Sequence, residues 1–184
     1  MSGHLSAGRV AAPSAGRVAA GSGNATTAAH VAIVRQLTRD AAARLFDPLD
    51  RLLGPDGAGP PASASLRGRL EIAAEVWAAQ VLGPDERLAA ETAFRLVAEI
   101  YRTDDVFAPP HDWWRTPFGA LVVRRFGHPA AEAVSLAVAS AMLGITRQGV
   151  HDLVKRGKLR RAESGGGVLV SSVRERLAHL SPPD

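Results

Sequence analysis

Arg147, Gln148, His151, Asp152 and Lys155 fall within nine residues near the end of a chain of 184. Counted from Gln148, four of them stand at i, i+3, i+4 and i+7, which is one side of a helix, and Arg147 shares the first turn. Val150, Leu153 and Val154 take the other side. A helix of this kind turns aliphatic groups inward and shows a row of donors and acceptors outward. Arginine matches the O6 and N7 of guanine, glutamine matches the N6 and N7 of adenine, and one helix is narrow enough for the major groove of a duplex. Arg147 and Gln148, next to the cap Thr146, are therefore expected to meet base edges. His151 suits a base or a phosphate, and equally a plain surface position. Lys155, Arg156, Lys158, Arg160 and Arg161 are expected on backbone phosphates. Asp152 can orient Arg156, four residues on, or disfavour wrong sites.

Short elements must position this row. Ser135 is expected to cap a helix over 136–143, with Leu136, Ala139 and Leu143 on its inner side. Gly144 ends that helix and Ile145 enters the core. Thr146 caps a second helix over 147–156, closed by Gly157. Lys158 to Ala162 can form a strand, Ser164 to Gly167 a turn, and Val168 to Val170 a second strand. Ser171 or Ser172 then caps a last helix, "VRERLAHL". The order is helix, turn, helix, two-stranded wing, helix, which is a winged helix-turn-helix plan.

The charge agrees with a polyanion partner for this half. Residues 1–112 carry 11 Arg against 13 Asp and Glu, or −2, while residues 113–184 carry 9 Arg and 2 Lys against 5 acids, or +6. From Arg147 to Arg161 six cations face Asp152 alone, or +5. A local excess of this size attracts phosphates, although a basic face can also be merely solvated.

The rest of the chain reads as mainly α. Residues 1–24 repeat SAGRVAA at 6–12 and 14–20 and are rich in Gly and Ala. They offer too little apolar surface to offset ordering, so a disordered tail is expected, either inert, a basic arm touching DNA, or a transit peptide. Helical spacing runs over 25–104, a small bundle. Its first helix carries Val31, Val34, Leu37, Ala41 and Leu45, and Asp47-Pro48 looks like the start of a short helix to Leu53. Gly54 to Ser65 is a loop by composition. Leu66, Leu70, Ala73, Trp77 and Val81 share one side of a second long helix. Leu88, Phe94, Leu96, Val97, Ile100 and Tyr101 give a third helix a wide apolar arc. The bundle can be a scaffold, a dimerisation or protein-contact face, or a ligand pocket. Residues 105–133 form a linker and a connecting helix, with Thr116-Pro117 as its start, Gly127 as its stop, and Trp113 and Trp114 packing it on a neighbour. Arg124 and Arg125 can reach phosphate, or equally belong to a solvated helix end.

The stretch "SLAVASAMLGITRQGVHDLVKRGKLRR", with the later "GGGVLVSSVRERL", resembles the excisionase-type and MerR-like winged helix-turn-helix domains of bacteria and their phages. The matching residues are Ala139, Ser140, Leu143, Gly144, Ile145 and Thr146, then Arg156-Gly157-Lys158-Leu159. The resemblance covers residues 134–180 and implies DNA binding, with the recognition helix in the major groove and the wing on the backbone or in the minor groove. The chain departs at Gly149, where that family carries a larger residue, and since it stops at Asp184 without the long coiled coil of MerR regulators, metal- or drug-sensing of that kind is not expected.

Other chemistries find little support. There is no cysteine, which excludes disulfides, thiolate metal sites and cysteine nucleophiles and fits a reducing compartment. The six histidines form no i,i+4 ligand pair, and no phosphate loop of the Gly-Lys-Ser/Thr type occurs. Tyr101 lies in an apolar helix, and Glu71 with Glu75 suits a solvated face better than acid–base work. No apolar run nears the roughly 18 residues of a membrane helix. The expectation is a cytoplasmic, nucleoid-associated protein that is not an enzyme and has no cofactor or metal. Its partner would be double-stranded DNA, bound as a homodimer or a cooperative array. It would act as a transcriptional regulator, or alternatively as an architectural or DNA-processing accessory factor, or as a protein-interaction adaptor.

Overall fold

The computed structural model describes residues 16–54, 63–101, 107, 109–163 and 166–180, with side chains from Thr26 onward. The expected tail up to residue 15, loop residues 55–62, and Ser164-Gly165 of the expected wing turn lie outside this set. The described chain is mainly helical, with a small two-stranded antiparallel sheet. Among the described residues no helix is long and apolar enough to cross a membrane.

Helix α1 spans Gly16–Ala41, so it begins inside the stretch expected to be a tail. Alanine-rich sequence propagates a helix once packing has nucleated it. A π-helical turn, Ala42–Phe46, joins α1 to α2, Asp47–Leu53. The short helix to Leu53 forms as Asp47-Pro48 suggests, with the proline in its first turn, but it continues directly from the π turn and has no side-chain cap from Asp47. The Asp47 N–H reaches back five residues to the Ala42 carbonyl. A proline cannot donate to the usual carbonyl four residues back, and the wider π turn just ahead of it takes up that mismatch. The carboxylates of Asp47 and Asp50 instead accept from Arg67 Nη2, each at 2.8 Å.

Helix α3, Ala64–Leu82, runs antiparallel to α1. Arg67 meets α2 at one end, and Glu75 meets His30 at 2.6 Å toward the other. The buried side of α3 is Ala74, Ala78 and Val81, with Leu70 and Trp77 at its border, while Leu66 is exposed. Apolar residues surround most of this helix, so spacing alone does not select the face. Small alanines let α1 approach with Ile33, Leu37 and Ala41. Helix α4, Glu86–Leu96, is capped by Asp85, whose carboxylate accepts from Leu88 N–H, and continues into a π turn, Val97–Tyr101. Ala89, Ala93, Leu96, Val97, Ile100 and Tyr101 are buried, whereas Leu88 and Phe94 lie at the rim.

A 3₁₀ turn, His111–Arg115, leads into α5, Pro117–Arg125. Thr116 caps α5 by accepting from Gly119 N–H. Trp113, Trp114 and Phe118 are buried, and with Tyr101, Phe107 and His128 they form edge-on ring contacts 4.9–6.1 Å apart. Gln36 of α1 is buried beside them. Its Oε1 accepts from Phe118 N–H at 2.9 Å and its Nε2 donates to Thr116 Oγ1 at 2.9 Å. The Tyr101 hydroxyl donates to Asp40 at 2.8 Å, and burial with that carboxylate pushes the phenol well above its ordinary pKa. Arg125, expected to be free for phosphate, is not. Its guanidinium donates to the carbonyls of Val81 and Gly83, at 2.7 and 2.9 Å, and pairs with Glu86, closing the end of α3.

The C-terminal part is β1 (Ala133–Val134), α6 (Leu136–Leu143), α7 (Arg147–Lys155), β2 (Val168–Leu169) and α8 (Val170–Leu180). The 3₁₀ turn packs on α6, and α5 packs on both α1 and α8. One apolar core thus runs from Ile33 to Leu177, and the stretch read as a linker is packed on both sides.

Two outcomes follow from this packing. Gln36→Ala leaves the Phe118 N–H and Thr116 hydroxyl without their buried partner, so it should cost about 2–4 kcal/mol by urea unfolding. A loss near zero would mean that water replaces the amide. Burial lowers the pKa of His128 below its ordinary 6.5. The neutral ring then contributes fully above pH 6.5, and that contribution is lost as the pH falls through the folded-state value. His128→Phe should flatten the fall of thermal midpoint between pH 7 and 5, and an unchanged slope would assign it to other groups.

Candidate nucleic-acid interface

Ser135 Oγ accepts from Val138 N–H at 3.2 Å and starts α6 at the expected residue. Ala139, Ser140, Ala141, Met142 and Leu143 are buried, and the small pair Ala139-Ser140 lets α7 lie close. Gly144 has φ +67°, a left-handed conformation that ends α6 without the penalty a Cβ would bring. Ile145 N–H returns to the Ser140 carbonyl at 3.1 Å, and its side chain packs against the core. Thr146 Oγ1 accepts from Gly149 N–H at 3.1 Å and caps α7.

Helix α7 ends at Lys155, one residue before the expected end. Val150 is fully buried, and Leu153 and Val154 pack against the core. Thr146, Arg147, Gln148, His151, Lys155 and Arg156 are exposed, so the two sides divide as the spacing requires. Asp152 does not engage the guanidinium of Arg156. Its Oδ1 accepts from Gln148 Nε2 at 3.1 Å. Gln148 keeps one amide hydrogen and its carbonyl oxygen free, the pair that adenine requires. Gly149 is not forced by packing, since a Cβ there would meet Ile145 and Thr146 no closer than 3.4 Å.

Beyond α7 the Lys158 N–H bonds the Leu153 carbonyl at 2.8 Å, which ties the following segment to the helix end. Arg161 forms an antiparallel bridge with Val168, flanked by Ala162 N–H to Gly167 O at 3.0 Å and Leu169 N–H to Arg160 O at 2.9 Å. Of the wing strand expected over Lys158 to Ala162 only this single bridge forms, and the second strand stops at Leu169 because Val170 begins α8. The other edge of β2 pairs with β1, Ala133 opposite Leu169 and Val134 opposite Val168. Two residues are too few to leave a periodic signal, which is why β1 is invisible in the sequence. Gly167 serves this pairing, since a Cβ there would stand 2.6 Å from the Val134 carbonyl oxygen.

Ser171 and Ser172 lie in the first turn of α8 and do not precede it. Ser172 Oγ accepts from Arg160 N–H at 3.1 Å and donates to the Leu169 carbonyl at 2.7 Å. The Arg160 guanidinium is held by Glu175 in a two-point contact, 2.8 and 3.0 Å, and by Ser171 Oγ at 3.1 Å. Arg160 in turn holds the Glu175 carboxyl below its ordinary pKa. A pairing across fifteen residues and two elements leaves no mark in spacing. Arg147, Lys155, Arg156, Lys158 and Arg161 are exposed, and among the described residues they have no ion-pair partner. The same residues include no group of three or more His, Asp or Glu able to hold a metal ion.

The cap at Thr146 sets where α7 begins and hence which side chains face out. Thr146→Ala should destabilise the protein by about 1 kcal/mol, and Thr146→Ser should retain most of that stability. Equal losses for both substitutions, read from urea midpoints, would show that the methyl group matters and the cap does not.

No family model matches the chain, and no curated protein or solved structure matches it either.

Proposed function

We propose that residues 134–180 act as a winged helix-turn-helix unit that binds double-stranded DNA, and that the protein is a bacterial transcriptional regulator. In this reading α7 enters the major groove. Arg147 and Gln148 read base edges, His151 adds a contact, and Lys155, Arg156, Lys158 and Arg161 hold phosphates. The observation that carries the reading is the pairing of buried Val150 with a basic outer side whose charges the fold leaves unneutralised. A merely structural basic helix gains by placing acids beside its cations, as Glu175 does for Arg160. Asp152, the acid on α7 itself, accepts a hydrogen bond from Gln148 and forms no ion pair with these cations among the described residues. Arg160, already engaged, is better placed to brace the wing than to meet phosphate. An unpaired cation near a phosphate gains by releasing the counterions that the duplex holds.

Selection from a random duplex library, followed by binding titrations, tests this reading. Arg147→Ala and Gln148→Ala should each cost roughly 1–3 kcal/mol on the selected duplex and little on random DNA. Lys158→Ala and Arg161→Ala should weaken both alike, and each should reduce the salt dependence by about one phosphate contact. If all four substitutions weaken both duplexes equally, α7 does not read bases, and the accessory role of coating or bending DNA takes its place. If neither duplex binds in dilute salt, the reading is wrong.

A further inference from the structure

Opposite in character to the basic end, α1 and α3 leave a face with exposed apolar side chains that no other described residue covers. A groove of about 580 Å³ runs between them, lined by Val34, Thr38 and Ala42 from α1 and by Ile72 from α3. Ile72 is 71% exposed, Val76 51% and Val31 44%, on a protein that buries smaller residues nearby. The Thr38 hydroxyl in this groove is buried and has no hydrogen-bond partner. Water-exposed branched side chains in a contiguous stripe mark a surface that is covered when the protein is assembled.

Charge identifies the cover. The α1 wall presents Arg35 and Arg39, and the α3 wall presents Glu71 and Glu75. Arg39 has its neighbour Asp40, and Glu75 has His30, but Arg35 and Glu71 have no ion-pair partner among the described residues. Because α1 and α3 are antiparallel, with residue 30 level with residue 75, Arg35 and Glu71 stand at one height on opposite walls. A two-fold axis that lies along the groove, in the plane of the contact, exchanges the walls. It lays α1 of one copy over α3 of the other and brings each Arg35 to the Glu71 of the other copy. A patch that is basic on one side and acidic on the other in this way complements itself, as an isologous dimer requires.

We propose that this face is a homodimer interface, in which α1 and α3 of two copies form a four-helix layer closed by reciprocal Arg35–Glu71 pairs. The apolar stripe supplies the attraction and the charge pairs set the register. The proposal stands apart from DNA binding, since no residue of α7 or the wing takes part.

Sedimentation equilibrium of the full chain without DNA is the test. A dimer with a Kd of about 10 μM or tighter is expected. Ile72→Asp should weaken it by roughly 100-fold, because a charge would be buried at the centre of the contact. Glu71→Arg should weaken it about 10-fold by opposing like charges, and Arg35→Glu added to the same chain should restore it. Arg35, Glu71 and Ile72 are all solvent-exposed in the monomer, so thermal melts at concentrations well below the Kd should match the parent protein. A chain that stays monomeric at every concentration overturns the proposal. So does a dimer indifferent to Ile72→Asp, or a reversed pair that fails to recover association.

Discussion

Gln36 is an uncharged amide in a dry place, and that single fact constrains most of the molecule. A buried amide with unmet hydrogen bonds is costly, so its neighbours must sit where they can meet them. Its carbonyl accepts from the first turn of α5 and its amino group donates to the Thr116 hydroxyl. Thr116 in turn donates to the Trp113 carbonyl at 2.6 Å. The position of α5 and of the Trp113-Trp114 turn is thereby fixed to α1, eighty residues earlier. The aromatic rings fill the remaining space, and α6 rests on the same turn. A core that includes a directional bond can close in only one register, whereas a purely apolar one can slide.

That register carries through to the basic helix. α6 rests on the aromatic turn, the left-handed Gly144 ends it, and the Thr146 cap starts α7 with Val150 pointing inward. The wing is braced from behind, by Arg160 on Glu175 and Ser171 and by β1 on the outer edge of β2. The outer residues of α7 need no partner in the fold, because everything that positions them lies on the other side of the helix. This separation lets one short segment keep its stability and still present unneutralised charge.

The sequence shows α6, the turn and α7 because each has a local signature: Ser135 and Thr146 as caps, Gly144 as a stop, and apolar residues three and four apart. The same holds for Thr116-Pro117. What it hides is non-local. Glu175 as the holder of Arg160, Arg125 as the closure of α3, and Gln36 as the link to α5 join residues 15 to 82 positions apart, and no spacing rule reaches that far. The two-residue strand β1 falls below any period. On α3, apolar residues on most sides leave the choice of face to the partners, so Leu66 and Ile72, plausible core residues by type, are exposed. In the middle segment the prolines suggest a linker, while Trp113 and Trp114, expected to pack on a neighbour, are buried in the core.

The central claim is that the outer side of α7 lies within a major groove, and guanine N7 is the atom that reports it. Methylation of a selected duplex by dimethyl sulfate, with and without the full-length protein, reads that atom directly. Guanines within the bound segment should be protected, and Arg147→Ala should return their reactivity to that of free DNA. Unchanged N7 reactivity across a segment that the protein demonstrably covers would contradict the account.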